Sequence, residues 1–266
     1  MRNEQNAHAF MKKFSYILAI ILLTTLHTSA QTDREYYQIR IYHLKTDAQL
    51  ATVETYLEKA LLPAFHEAGV KNVGVFKPAL IDTAEQRIYI LIPYRSINDI
   101  AATDEKIQKI LQSSSSAQAY RDATFENPPY QRMEVILLKA FKLHPKLTTP
   151  SLNGPRAERI YELRSYEGHT EKISQNKIHM FNEGGEIPLF DRLGFNAIFY
   201  GEVIAGSKMP NLMYMTSFDN RQERDQHWQT FGADPEWKKL SSMAMYQKNV
   251  SHIDIHLLRP TSYSDF

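Results

Sequence analysis

An internal repeat is the feature that most constrains the fold of this chain, because a duplicated unit must form the same structure twice. Three segments occur twice in the same order, and matched residues lie 124 or 125 positions apart. Matches that share one spacing and one order indicate two copies of one unit. The paired segments are Tyr37-Gln-Ile-Arg40-Ile-Tyr42 with Tyr161-Glu-Leu-Arg164-Ser-Tyr166, Leu62-Pro63-Ala-Phe65-His-Glu-Ala-Gly69 with Ile187-Pro188-Leu-Phe190-Asp-Arg-Leu-Gly194, and Arg87-Ile-Tyr89-Ile-Leu-Ile with Asn211-Leu-Met-Tyr214-Met-Thr.

Each copy has the same order of predicted elements. The opening Tyr-x-x-Arg-x-Tyr segment is rich in aromatic and β-branched residues that alternate, which predicts a strand. Apolar residues spaced by three and four over 47–68 predict a helix that ends at Gly69. Two strands, a second helical region and a last strand complete the order βαββαβ, which is the ferredoxin-like unit. We predict an α+β protein whose two sheets pack face to face as an intramolecular α/β barrel.

The predicted domain organisation has four parts. Residues 1–30 form a secretory signal peptide, 36–142 the first repeat and 158–259 the second repeat. Residues 143–157 form a linker, because this segment contains three prolines and a glycine and has no amphipathic period.

The first 30 residues have the layout of a secretory signal. Lys12 and Lys13 precede the apolar run 14–23, and the small residues of 28–30 suit a cleavage site. The apolar run is shorter than the ~20 residues that span a bilayer, which favours cleavage over a stable membrane anchor. We therefore predict an exported protein, periplasmic or extracellular, that begins near Gln31.

Composition excludes several classes of function. The chain has 31 basic and 30 acidic residues, a formal charge of +1, and therefore no basic field for nucleic acid. It has no cysteine, which excludes disulfides, thiolate metal sites and cysteine nucleophiles. Neither a glycine-rich nucleotide loop nor a nucleophile elbow is present. We predict no nucleic-acid partner and no cofactor.

Three motifs resemble the NIPSNAP family of the dimeric α/β-barrel superfamily. They are the Tyr-x-x-Arg-x-Tyr strand, the Pro-x-Phe-x-x-x-Gly helix end and the segment Phe231-x-x-Asp234-Pro235-x-Trp237. The resemblance covers both repeats and implies a tandem barrel, but it implies no agreed substrate. The wider superfamily includes cofactor-free monooxygenases, haem-degrading enzymes and lactone isomerases, which are precedents by analogy for a ligand inside the barrel.

Alternation along the opening strands suggests a first set of ligand-binding residues. Ile39 and Ile41 share one face of the first strand, and we expect this apolar face to meet the helices. The opposite face would then point into the barrel and offer arginines to an anionic ligand. An alternative is that each arginine pairs with an internal acid, such as Glu134 or Glu162, and only stabilises the barrel. The four predicted inward residues are Arg40, Tyr42, Arg164 and Tyr166.

The last strand of the second repeat suggests a second set. His252, Asp254 and His256 alternate with apolar residues and therefore share one face. A histidine beside an aspartate could move protons, so these three residues are the catalytic candidates. Two histidines at this spacing could also share a metal, but a solvated sheet face is the simpler interpretation and we predict no metal site. If they carry a site, we expect an accessible pocket beside them, with Arg164 and Tyr166 on its wall.

Three functions remain after these exclusions. The preferred one is binding of a small anionic or aromatic molecule in the barrel. The second is an enzyme of the oxygenase or isomerase type that needs little or no cofactor and uses the polar strand of the second repeat. The third is a protein-interaction module whose barrel is filled by its own side chains. A homodimer is also expected if sheet edges remain free to pair.

Overall fold

The computed structural model describes residues 33–80 and 85–266, so the predicted signal peptide lies outside the described residues. Eight strands and eight α-helices occur in the described part. The strands are β1 Tyr36–Leu44, β2 Gly74–Pro78, β3 Gln86–Tyr94, β4 Arg132–Ala140, β5 Ile160–Glu167, β6 Asn196–Ala205, β7 Asn211–Phe218 and β8 His252–Pro260. The helices are α1 Asp47–Tyr56, α2 Leu62–Glu67, α3 Ile97–Ser113, α4 Gln118–Arg121, α5 Glu171–Asn182, α6 Glu186–Arg192, α7 Arg221–Ala233 and α8 Pro235–Ser242.

The strands form one closed antiparallel barrel in the order β1-β3-β2-β8-β5-β7-β6-β4. Each repeat supplies four neighbouring strands, and the two halves join where β2 pairs with β8 and β4 pairs with β6. The predicted α+β fold of two ferredoxin-like units in an intramolecular barrel is therefore confirmed. Because every described strand is paired on both sides, the sheet edges that motivated the homodimer are used up, and the homodimer stays a prediction without that support.

Local sequence explains where the helices begin and end. The Thr46 hydroxyl accepts a hydrogen bond from the Gln49 N–H at the start of α1, which continues through a π-helical turn, Leu57–Leu61, into α2. The helical chain ends at Gly69, whose φ of +92° favours glycine, as the sequence predicts. No helix in the described part of the chain combines the length and apolar character that crossing a bilayer requires.

The barrel interior is packed with apolar and aromatic side chains, and this reverses the expected orientation of the opening strands. Ile39 and Ile41 point into the barrel, whereas Arg40 and Tyr42 lie on the face that the helices cover. The expectation was wrong because the barrel interior is filled by apolar and aromatic side chains that offer an arginine no partner. The sheet–helix layer instead offers polar helix residues that can pair with an arginine.

Candidate functional site

One end of the barrel, which we call the mouth, carries polar side chains from the second repeat. Cross-strand pairing of β8, β5 and β7 places these residues in rows on the inner face of the sheet. The predicted alternation of His252, Asp254 and His256 is therefore seen, and each belongs to a different row. From the mouth inward, the rows are His252–Glu167–Asn211, Asp254–Ser165–Met213 and His256–Leu163–Met215.

The first repeat presents a related but more apolar wall. Along the last strand of each repeat, a polar residue is confined to the second repeat only at the inner row, where Ile136 takes the place of His256. In the middle row, Ile41 takes the place of Ser165. The corresponding rows of β4, β1 and β3 are Arg132–His43–Arg87, Glu134–Ile41–Tyr89 and Ile136–Ile39–Leu91.

A cavity of about 350 Å³ lies between these two walls. Its volume is at the lower end of the range typical of small-molecule sites. Asp254 and His256 line this cavity, whereas His252 is exposed outside it. The lining residues are Ile41, Arg87, Tyr89, Glu134, Ile136, Ser165, Val203, Gly206, Ser207, Lys208, Asn211, Met213, Asp254 and His256.

Ser165 and Asn211 form a buried polar pair in the cavity wall. Asn211 Nδ2 donates to Ser165 Oγ over 2.8 Å. Asn211 is only 4% exposed and Ser165 only 3%. Asn211 Oδ1 is buried and has no hydrogen-bond partner among the described residues. A buried polar atom without a partner costs about 1–3 kcal/mol, so a turn of the Asn211 amide toward the cavity, where a bound molecule or water can donate to it, would be favourable.

His256 lies deeper in the same cavity. Burial lowers the pKa of its imidazole; Arg87 and Lys208 act in the same direction, and Asp254 and Glu134 oppose them. The ring centre is 5.5 Å from that of Tyr89. A neutral imidazole has one nitrogen that accepts a hydrogen bond or a proton, so His256 can act as an acceptor at neutral pH.

The charged groups at the mouth are already paired with one another. Lys208 Nζ contacts Asp254 and lies 3.7 Å from Glu167, and the hydrogen bond from Lys208 lowers the pKa of Asp254. Arg87 Nε donates to Glu85 over 2.7 Å. The cavity lining contains the cations Arg87 and Lys208 and the carboxylates Glu134 and Asp254, so its formal charge balances.

A second polar group surrounds the rim of the mouth. His43 lies between two carboxylates. Its Nδ1 is 2.6 Å from Glu85 and its Nε2 is 2.6 Å from Glu134. Across the mouth, the donor atoms of Glu167, His252 and Asp254 lie within 4.8 Å of one another and could hold a cation. The Lys208 ammonium already contacts both of these carboxylates, so a metal ion would have to displace it.

The second-repeat pair of the four predicted ligand residues lies outside the barrel, between the sheet and the helices. Arg164 Nε donates to Glu162 Oε1 over 2.7 Å, and Arg164 Nη1 donates to the Tyr166 hydroxyl over 3.0 Å. The guanidinium also stacks 3.7 Å from the Trp228 ring centre. Arg164 and Tyr166 therefore do not line the cavity, and their predicted place on its wall is corrected.

The first-repeat pair occupies the matching layer. Arg40 donates to Gln38 over 2.7 Å and to Asp104 of α3 over 3.2 Å. The Tyr42 hydroxyl lies 3.0 Å from that of Tyr120. All four side chains thus stabilise the contact of the sheet with its helices, as in the alternative in which each arginine pairs with an acid.

Sequence reasoning missed Ser165 and Asn211. Ser165 occupies a variable position of the Tyr-x-x-Arg-x-Tyr motif, and Asn211 is the first residue of β7, whose sequence reads as ordinary buried sheet. A residue-by-residue comparison of the two repeats contains the missing signal. It aligns the polar Ser165 with Ile41, a position at which an inward side chain would otherwise be apolar.

Fold and cavity together define a tandem α/β-barrel protein with a partly polar pocket at one end. The family model named NIPSNAP matches residues 161–265. The match confirms the resemblance over residues 161–265, which contain most of the second repeat. No protein of curated function matches the chain in sequence.

Solved structures with similar folds span most of the chain. A provisionally named monooxygenase from Fusobacterium nucleatum has a TM-score of 0.58 at 6% identity, and covers 86% of this chain and 93% of its own. One from Lactobacillus acidophilus has a TM-score of 0.53 at 12% identity, with 85% and 94% covered. An anthrone oxidase-like protein has a TM-score of 0.51 at 10% identity, with 87% and 93% covered. At such identities the likeness shows the fold alone.

Proposed function

We propose that this protein binds a small molecule in the cavity at the barrel mouth. The observation that carries the proposal is the buried Asn211 oxygen, which lacks a protein partner in a cavity wall. Such a group is costly unless something in the cavity satisfies it. The cavity also joins the apolar side chains of Ile41, Ile136, Val203 and Met213 to convergent polar and charged groups, so it offers both kinds of surface to a ligand.

The proposal places the ligand at the mouth and not in the centre of the barrel. The centre is filled by large side chains that include Tyr37, Phe76, Tyr161 and Phe199, all buried. The preference for an anion that the sequence suggested has less support, because both arginines on which it rested lie outside the cavity. The binding site is therefore proposed on a different set of residues from those first considered.

Native mass spectrometry of protein purified from its own producing organism tests the proposal. We expect the wild-type protein to retain a small molecule, and Val203→Trp, which fills the cavity from a residue that is 4% exposed, to lose it. Ile204→Trp is the matched control, because Ile204 follows Val203 on the same strand but its side chain points outward and is 36% exposed. Equal retention by both variants, or none by the wild type, would count against a site in the cavity.

A second candidate function is proton transfer by His256. A neutral imidazole that faces a cavity can take a proton from a bound substrate, and this is the observation that favours an enzyme. Anthrone is a reasonable first substrate because one of the proteins with this fold is named anthrone oxidase-like. Its oxidation by one O₂ gives anthraquinone and water. Oxygen uptake that His256→Ile abolishes would support this function, and uptake that survives the substitution would exclude His256 from it.

We also propose that the protein is exported. The support is the basic pair Lys12-Lys13 followed by the apolar run and small residues up to Ala30. Intact-mass analysis of the mature protein should give a chain that begins near Gln31. A mass that retains Met1 or Met11 would contradict export by cleavage.

A further inference from the structure

We propose that the molecule bound at the mouth is uncharged, with an apolar body and a hydroxyl group at one end. This inference rests on the proposed binding function and names the chemical class that the cavity would select. It also fixes an orientation, in which the hydroxyl faces the second repeat.

Two matched positions differ between the walls of the cavity. The duplication gives both repeats an inward residue at each position, yet Ser165 and His256 stand where the first repeat has Ile41 and Ile136. All four residues line the cavity. At these two positions the first repeat offers methyl and methylene groups and the second offers hydrogen-bonding groups, while Arg87, Tyr89 and Glu134 of the first repeat also line the cavity. A ligand with one polar end is therefore favoured with that end toward Ser165 and His256.

The second-repeat wall has hydrogen-bonding groups that no described residue uses. Asn211 uses its amide N–H on Ser165 and leaves Oδ1 free, and neutral His256 has an acceptor nitrogen. A hydroxyl can donate to either acceptor. A hydroxyl also accepts hydrogen bonds. It can therefore pair with the Asn211 side chain whether the amide oxygen or the amide nitrogen faces the cavity.

The charges around the cavity are already balanced. Lys208 pairs with Asp254 and Glu167, and Arg87 pairs with Glu85. A carboxylate ligand would have to lose water beside Glu134 and Asp254 without gaining an unpaired cation among the described lining residues. Burying a charge without a partner is strongly unfavourable, and an ammonium ligand would compete with Lys208 for the same acids. An uncharged ligand avoids both costs.

A matched series of probes tests this class. 2-Naphthol, 2-naphthoate and 2-methylnaphthalene share one ring system and differ in the group at one position. Fluorescence titration of the wild-type protein at neutral pH should give the tightest binding for 2-naphthol. We expect the other two to bind about tenfold or more weakly, which corresponds to one buried hydrogen bond left unmade.

Variants that copy the first repeat assign the effect to the polar wall. Ser165→Ile and His256→Ile introduce the residues that the same fold accommodates at Ile41 and Ile136. Each substitution should lower the affinity for 2-naphthol about fivefold or more, and should leave the affinity for 2-methylnaphthalene unchanged or raise it. Ile255→Ser is the control on the same strand, since Ile255 is exposed and does not line the cavity, and it should change the affinity for neither probe.

The outcomes separate this inference from the binding function on which it rests. If 2-naphthoate or 2-methylnaphthalene binds more tightly than 2-naphthol, and Val203→Trp abolishes that binding, the cavity is a binding site but the inferred class is wrong. If Ser165→Ile and His256→Ile fold cooperatively and bind 2-naphthol as the wild type does, the inferred orientation is overturned. If no probe binds in a way that Val203→Trp abolishes, both the inference and the proposed site lose their support.

Discussion

Arg164 donates a 2.7 Å hydrogen bond to Glu162, two residues earlier on the same strand, and the Glu162 side chain is completely buried. Arg224 and Trp228 of α7 also donate to this carboxylate. Burial alone would raise the pKa of Glu162, but the hydrogen bonds and positive charges of Arg224 and Arg164 outweigh it and lower that pKa. The carboxylate thus joins β5 to α7 and orders the layer outside the barrel.

Glu162→Leu should therefore lower the free energy of unfolding by about 3–5 kcal/mol, because two arginines would remain in a largely buried layer without their carboxylate. The matched change in the first repeat is Gln38→Leu, which removes only one neutral acceptor from Arg40 and should cost about 1 kcal/mol. Urea denaturation of both variants measures the difference. Similar losses for the two variants would mean that the ion network contributes no more than a neutral hydrogen bond.

Gly185 precedes α6 with a φ of +94°, and an added methyl group there would meet nothing within 4 Å. Gly185→Ala should destabilise the protein by about 1–2 kcal/mol through backbone strain alone. Gly232→Ala is the matched control, because its methyl group also meets nothing but its backbone is helical. Gly232→Ala should raise the free energy of unfolding by about 0.5–1 kcal/mol. The midpoint of thermal denaturation should therefore fall for Gly185→Ala and rise for Gly232→Ala.

The stability contributed by His256 should depend on pH. Its pKa in the folded protein lies below the ordinary value near 6.5, so the unfolded chain binds the proton first as pH falls. Wild-type stability should therefore fall relative to His256→Ile below about pH 6.5, by up to about 1.4 kcal/mol per pH unit until the folded-state pKa is reached. Denaturation of both proteins from about pH 8 to about pH 5 measures this. A stability difference that stays constant over this range would show that the pKa is not lowered.

Lys208 belongs to the hairpin between β6 and β7 and contacts Asp254 across the mouth. Lys208→Met should cost less than about 1 kcal/mol of stability, because the ammonium is half exposed and solvent screens the pair. It should nevertheless speed both association and dissociation of 2-naphthol, since this contact holds the hairpin over the cavity. Stopped-flow fluorescence gives the two rates. Lys142→Met, which breaks an exposed pair with Glu183 elsewhere, should leave them unchanged.

The repeat and its element order were predictable because they depend on local spacing. The Tyr-x-x-Arg-x-Tyr strands, the long helix ending at Gly69 and the closing strands all lie where alternation and helical periodicity place them. The direction in which Arg40 and Arg164 point was not predictable in this way. Alternation divides a strand into two faces, but the choice between them depends on which partners each layer offers, which only the assembled barrel decides.

The candidate site was predictable only in part. His256 and Asp254 stand out because polar residues alternate along one strand, and both line the cavity. Ser165 and Asn211 join them only through the pairing of β5 with β7 and β8. Proximity across strands far apart in the chain is not encoded in local pattern, so the buried pair could not be recognised before the register was known.

Electron density at the barrel mouth, in a crystal of protein purified from its own producing organism, tests the central claim most directly. We expect density for a small molecule in the cavity, with a polar atom within hydrogen-bonding distance of Asn211 and its apolar part against Ile41 and Ile136. A cavity that contains only ordered water, or that is closed by its own lining side chains, would contradict the claim that this protein binds a small molecule there.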